Sequence, residues 1–121
     1  MPLDHQGIEE VFRSLSQQFS GIAGCALVSP EGKLLESSLG GSIPKERVGL
    51  VSAALVSVAT KATQELRQGT FQETYVAGAD GCIVSTTVGP QALLIIMGKV
   101  DSPLSLILAA RNSATRLKSM V

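Results

Sequence analysis

Residues 44–67 read PKERVGLVSAALVSVATKATQELR, and this segment predicts a long helix that packs on a β-sheet. It begins with Pro44, whose missing N–H costs nothing in the first turn of a helix, and Gly69 follows as a residue that often ends one. At about 100° per residue, its apolar side chains gather into one broad stripe, which is what a helix needs to pack on a β-sheet. The members of this stripe are Val48, Val51, Leu55, Val58, Ala59, Ala62 and Leu66.

The opposite side of the predicted helix carries small and apolar residues where a solvated face would carry charge. We call these residues, with the lysine that follows them, the docking patch: Leu50, Ala53, Ala54, Ser57 and Lys61. A small apolar patch that faces outward indicates a surface covered by another chain. That chain is either a different protein or a second copy of this one, and the residues leave both alternatives open.

The rest of the chain divides into strand-like and helix-like patterns separated by glycine and proline turns. Apolar residues at helical spacing predict one helix before the long one and one after it, each with a single buried face. Gly32 stands in the turn Pro30-Glu31-Gly32, where a positive φ is needed. In chain order we predict a helix over 5–20, strands over 22–29 and 33–39, the long helix, strands over 70–77, 82–88 and 92–97, and a final helix that opens at Pro103.

The polarity of the strands sets their order in the sheet. The runs 22–29 and 92–97 are apolar throughout and belong in the middle, because both of their faces must be covered. The more polar runs 33–39 and 70–77 belong at the edges. With hairpins joining neighbours, we expect an α+β fold of α/β/α layers in which a five-stranded, largely antiparallel sheet has the order 2-1-5-4-3. The long helix covers one face and the two terminal helices cover the other, in a single domain over 1–121.

The edge strand 70–77 predicts self-association. It is rich in β-favouring residues and carries one charge, Glu73, so an open edge would be an aggregation hazard. We therefore predict that it pairs antiparallel with the same strand of a second copy to form a two-fold homodimer. The residues expected at this interface are Phe71, Glu73, Thr74 and Tyr75.

Composition argues against several classes of function. The 121 residues include ten basic and ten acidic ones, without the basic stripe that binds nucleic acid. No apolar run reaches the roughly 18 residues of a membrane-spanning helix, and the N-terminus lacks the pattern of a signal peptide. We expect a cytoplasmic protein that neither binds nucleic acid nor inserts into a membrane.

The sequence offers little for catalysis, and we predict no catalytic residue, metal or cofactor. His5 is the only histidine, and we expect an exposed side chain without a role. Cys25 and Cys82 lack a CxxC spacing and are expected to be buried thiols rather than a disulfide or redox pair. Glu9 and Glu10 are adjacent on a helix and point apart. We find no GxSxG, GxGxxG or phosphate-loop pattern.

Several segments resemble the Roadblock family in order and spacing. The hairpin GCALVSPEGKLLESS over 24–38 is similar to the opening hairpin of Roadblock domains. The alanine-rich helix follows, then the turn GADGC at 78–82, the run VGPQALL at 88–94 and the sequence AAR at 109–111 of the last helix. The resemblance spans nearly the whole chain and is closest to the prokaryotic, MglB-like regulators of small GTPases.

This resemblance implies a Roadblock/profilin-like fold and a function without catalysis. Roadblock domains form dimers in which the third strands pair into a ten-stranded sheet, with both second helices on one face. They serve as dynein adaptors, as scaffolds for Ras-like GTPases and as prokaryotic GTPase regulators that supply no catalytic arginine. The GTPase-facing surface of the family lies on the second helix, which here corresponds to the docking patch.

Two other functions compete with GTPase regulation. A passive assembly adaptor would use the same surface without changing nucleotide turnover. A small-molecule sensor of the PAS or GAF kind shares the predicted strand order, but it needs a ligand cavity, and the aromatic-poor, alanine-rich segments favour a filled core.

Overall fold

Three helices surround one five-stranded antiparallel sheet in the computed structural model, which describes residues 2–121. Met1 of the predicted domain lies outside the described residues. The sheet has the order β2-β1-β5-β4-β3, which confirms the predicted topology. The elements are α1 (His5–Gln18), β1 (Ile22–Val28), β2 (Leu34–Leu39), α2 (Lys45–Glu65), β3 (Glu73–Gly78), β4 (Gly81–Val88), β5 (Ala92–Gly98) and α3 (Pro103–Leu117), followed by a 3-10 turn over Lys118–Met120.

The core lies on both faces of the two central strands, as the sequence predicts. On one face, Ala26, Val28 and Ile95 pack with residues of α2. On the other face, Leu27 and Leu94 pack with side chains of α1 and α3. The long helix therefore covers one side of the sheet and the terminal helices cover the other, which gives the three expected layers.

A close approach of two glycines seats α2 on the β1–β2 turn. A Cβ atom on Gly49 would lie 2.1 Å from the carbonyl oxygen of Gly32, so only a glycine fits at this helical position. Gly32 itself has a φ of 98°, the positive value that its turn position predicts. The contact explains why α2 contains a residue that otherwise weakens a helix.

The face that α2 turns to the sheet differs from the predicted stripe. Its buried residues are Val48, Gly49, Ser52 and Val56. Small residues at Gly49 and Ser52 let the helix come close to the sheet, and this rotates most of the large apolar side chains away. We call the displaced residues the apolar flank: Val51, Leu55, Val58, Ala62 and Leu66. Leu55 is half-buried, whereas Val51 is 57%, Val58 is 69% and Leu66 is 72% exposed. Ala62 is exposed as well, so the predicted burial of these four residues is wrong.

Candidate functional site

The docking patch lies on the side of α2 that faces the β1–β2 turn. Leu50, Ala54, Ser57 and Lys61 are exposed and Ala53 is half-buried. The side chain of Leu50 lies against the turn: its Cδ2 would be 3.0 Å from a Cβ placed on Gly32. The structure thus brings all five predicted residues onto one continuous side of the helix.

A groove of about 410 Å³ runs along part of this patch. Ala53, Ser57 and Lys61 form its helical wall, while Pro30 and Leu93 close it from the sheet side. Lys61 supplies the one charge among the lining residues, and hydroxyl and amide groups supply the remaining polarity. The groove is therefore suited to an apolar segment of another protein with an acidic or polar neighbour. Its lining residues are Pro30, Ala53, Val56, Ser57, Thr60, Lys61, Gln64 and Leu93.

The apolar flank borders the docking patch on α2, since Ala54 lies three residues after Val51 and four before Val58. A row of residues on the α2 face of the sheet is also incompletely covered. Val76 of β3 stands opposite Ile83 of β4, which stands opposite Met97 of β5. Directly opposed residues share a face of the sheet. Ile83 and Met97 are only partly buried in the cluster beneath α2, and Val76 is exposed. Helix and sheet together present an apolar surface that sequence reasoning missed, although the small residues Gly49 and Ser52 mark the side that packs instead.

The predicted interface strand is an edge of the sheet, since β3 pairs with β4 on one side and ends the sheet on the other. Glu73 and Thr74 are half-buried and Tyr75 is exposed on this strand. Phe71 precedes the strand, which begins at Glu73 rather than at Thr70, and its side chain is buried with Val48 and Val56.

The alternating hydrogen bonds between β3 and β4 determine which backbone N–H and C=O groups of β3 face the open edge. The N–H of Thr87 in β4 donates to the carbonyl oxygen of Gln72, just before β3. Because antiparallel ladders alternate, Thr74 and Val76 also direct their backbone groups toward β4. Glu73, Tyr75 and Ala77 direct theirs to the open edge, where another strand can pair with them.

An ion pair ties this edge to the last helix. The guanidinium of Arg111 in α3 donates from Nε and Nη2 to the Glu73 carboxylate, with Nε–O distances of 2.9 and 2.8 Å. These hydrogen bonds, with the attraction of the opposite charge, raise the pKa of Arg111. A bidentate contact of this geometry orients Glu73 at the start of β3.

The groups with potential for chemistry are scattered. Cys25 and Cys82 are both free and buried, and burial raises the pKa of the Cys25 thiol to about 12, which keeps it protonated and unreactive. His5 is exposed and contacts Glu36 of β2, with 2.5 Å between Nδ1 and Oε2. Across residues 2–121, His, Cys, Asp and Glu side chains form no group of three or more that would hold a metal ion.

An open cleft of about 560 Å³ lies between α3 and the β3–β4 side of the sheet. Its lining mixes threonines with Arg111 and Lys118. It lies at the surface rather than within the core. No helix within residues 2–121 is long and apolar enough to cross a membrane.

These surfaces leave one side of a helix and one sheet edge exposed on an α/β/α scaffold. The chain belongs to the Roadblock/LC7 family, whose model matches residues 8–97. It is 27% identical over 114 residues to the uncharacterised protein MJ0310 of Methanocaldococcus jannaschii, an alignment that covers 93% of this chain and 98% of that protein.

Solved structures share the fold at low sequence identity. Myxococcus xanthus MglB has a TM-score of 0.83 at 19% identity, over 96% of this chain and 88% of that chain. Profilin II of Acanthamoeba castellanii has a TM-score of 0.64 at 13% identity, over 95% of this chain and 96% of that chain. The Roadblock/profilin-like fold class is thereby confirmed.

Proposed function

We propose that this single-domain protein is a non-catalytic, homodimeric regulator of a small Ras-like GTPase and acts in the cytoplasm. One observation carries the proposal: within residues 2–121, α2 presents two neighbouring sets of largely exposed small and apolar residues, the docking patch and the apolar flank. The apolar flank suits a second copy, and the docking patch suits the GTPase. Roadblock/LC7 membership and the MglB-like fold support this assignment.

The dimer follows from an apolar row of the sheet that runs to its open edge. The row Val76–Ile83–Met97 ends at β3, whose outward backbone groups form the open edge beside it. An antiparallel pair of β3 strands would satisfy those backbone groups and bring a second α2 over the row. Glu73, Thr74 and Tyr75 then contribute through the strand, with Phe71 buried behind it.

Ala53 and Ser57 of the docking patch lie farthest around α2 from the apolar flank, so we expect them to stay accessible in such a dimer. Ala53 and Ser57 in the helical wall of the groove are small and let another backbone approach closely. Residues 2–121 form no metal site, and a non-catalytic protein changes the activity of a GTPase by binding one of its states more tightly than another. The switch loops of Ras-like GTPases differ between the GTP and GDP states, so they are the part of the GTPase that the patch would bind.

Regulation by this route supplies no catalytic residue in trans. Arg47 and Arg67 are the arginines at the two ends of α2, and both are exposed. An arginine finger contributes about 10³–10⁵ in rate, so positioning of the GTPase's own groups is expected to give less. Replacing both arginines with alanine is expected to leave the acceleration in place.

The test uses a small Ras-like GTPase that co-purifies with the protein from its own cells. The dimer is added to this GTPase loaded with GTP, and phosphate release and nucleotide exchange are followed. Ser57→Arg in the docking patch should abolish binding and the rate effect while light scattering still shows a dimer. Gln17→Arg, on α1 at the other face of the sheet, is the matched control and should change neither.

Each other outcome has a definite meaning. Binding without any change in hydrolysis or exchange would replace regulation with the passive adaptor function. Dissociation of the dimer by Ser57→Arg would show that a second copy covers the docking patch.

A further inference from the structure

We infer that the homodimer proposed above carries a second docking surface, on the face of the sheet opposite α2, which binds one amphipathic α-helix of a partner protein. The surface consists of exposed apolar residues of β3 and α3. Tyr75 is 41%, Leu108 is 46% and Leu104 is 65% exposed. None of these residues belongs to the docking patch or to the apolar flank.

The three side chains lie along one channel beside the sheet edge. Tyr75 stands opposite Val84, which belongs to the core beneath α1 and α3, so Tyr75 points to that face. Arg111 reaches Glu73, which places its side of α3 next to β3. Leu108 and Leu104 lie on the same side of the helix, three and seven residues before Arg111.

The direction of α3 places Leu104 and Leu108 beside the exposed part of β3. Thr115 and Lys118 border the same cleft as Thr70 and Gln72, so the end of α3 lies beside the chain that enters β3. Helix and strand therefore run antiparallel, and Leu108 and Leu104 follow the edge toward Tyr75 and Ala77.

Pairing of the β3 strands would place the Tyr75, Leu108 and Leu104 surfaces of two chains side by side. The two surfaces would then form one channel between the two α3 helices. Each α3 packs mainly over β4. Three strand spacings of about 4.8 Å then separate the two β4 strands, so the helix axes lie about 14 Å apart or more. Helices in contact are about 8–10 Å apart, so the two α3 helices do not close the channel over the paired Tyr75 side chains.

The dimensions and charges of the channel indicate its occupant. A third helix can pack against both α3 helices at this separation. It would then insert one narrow stripe of apolar side chains between them, as in helix-in-groove recognition. Arg111 of α3 is paired with Glu73, and Lys118 of the 3-10 turn that follows lines the same cleft, so the charged residues of this lining leave one positive charge in excess. The partner helix is therefore expected to flank its apolar stripe with acidic side chains.

Tyr75 is the only tyrosine in a chain without tryptophan, so its fluorescence reports directly on the channel. The probe is a designed helical peptide of about 18 residues, with leucines at helical spacing, glutamates elsewhere and no aromatic residue. We expect its titration to change the Tyr75 emission and to saturate at one peptide for two chains. Leu108→Asp should weaken binding about tenfold or more, which corresponds to about 1.4 kcal/mol or more. Ser57→Arg should leave binding unchanged.

The outcomes separate this inference from the function proposed above. Saturation at one peptide per chain, unchanged binding to Leu108→Asp, or loss of binding in Ser57→Arg would overturn the inference while light scattering still shows the dimer. No response of the Tyr75 emission in the intact dimer would also overturn it. A stable monomer by light scattering would instead remove the dimer, and both proposals with it.

Discussion

Gly49 occupies a helix position at which alanine is ordinarily the better residue by about 1 kcal/mol. The contact with Gly32 reverses this preference, because a Cβ would meet a backbone carbonyl oxygen at 2.1 Å. Gly49→Ala is therefore expected to lower the free energy of unfolding by about 1–3 kcal/mol, as overpacking does. Urea unfolding measures the change. Gly41→Ala is the control, since no atom lies within 4 Å of its Cβ position, and an equal loss in both variants would contradict the explanation.

Cys25 makes the stability depend on pH in the alkaline range. Burial raises the pKa of its thiol from 9.0 to about 12, so between these values the unfolded chain loses a proton that the folded chain keeps. Stability from this group is complete below pH 9 and falls as the pH rises, by up to about 1.4 kcal/mol per pH unit. Urea unfolding at pH 8 to 10.5 should show a shallower decline for Cys25→Ala than for the parent chain. Parallel declines would exclude this role of the thiol.

At the scale of elements, we expect proline to have different effects at two adjacent residues of β3. The N–H of Ala77 faces the open edge, whereas that of Val76 faces β4. Proline removes the N–H, so Ala77→Pro should weaken the pairing of two chains while the fold persists. Val76→Pro should instead disrupt the β3–β4 pair and the fold. Light scattering and circular dichroism distinguish the two, and an unaffected dimer in Ala77→Pro would show that the chains pair elsewhere.

The sequence predicts the sheet better than it predicts the orientation of α2. Strand order follows from burial and from the short hairpin turns, because β1 and β5 are apolar on both faces, the edge strands are not, and the turns join neighbours. Helical periodicity shows that Val51 and Val58 lie on an apolar side, but it does not show whether a sheet or another chain covers that side. The exposure of Leu50, Ala54 and Ser57 could be predicted, because they lie opposite the predicted stripe, but a partner on them stays a prediction. The contact between Arg111 and Glu73 could not be predicted, because it depends on where α3 lies over the sheet.

At the scale of the whole molecule, the proposed dimer makes stability depend on protein concentration. Association adds to the stability of the folded state by mass action, so the thermal midpoint should rise with the concentration of the chain. Val58→Asp places a charge in the apolar flank, where one chain is expected to meet the other, and it should abolish this rise. Arg13→Asp, at an exposed position of α1, should retain the rise. A midpoint of the parent chain that is independent of concentration would contradict the dimer.

The docking patch and the apolar flank belong to one rigid helix, and this has a thermodynamic consequence. If dimerisation improves the affinity of the docking patch for its partner, then partner binding must tighten the dimer by the same factor, since coupling between two binding equilibria is reciprocal. The abundance of the partner would then set how much of this protein is paired in the cell. Oligomeric state becomes a readout of partner concentration rather than a constant property of the chain.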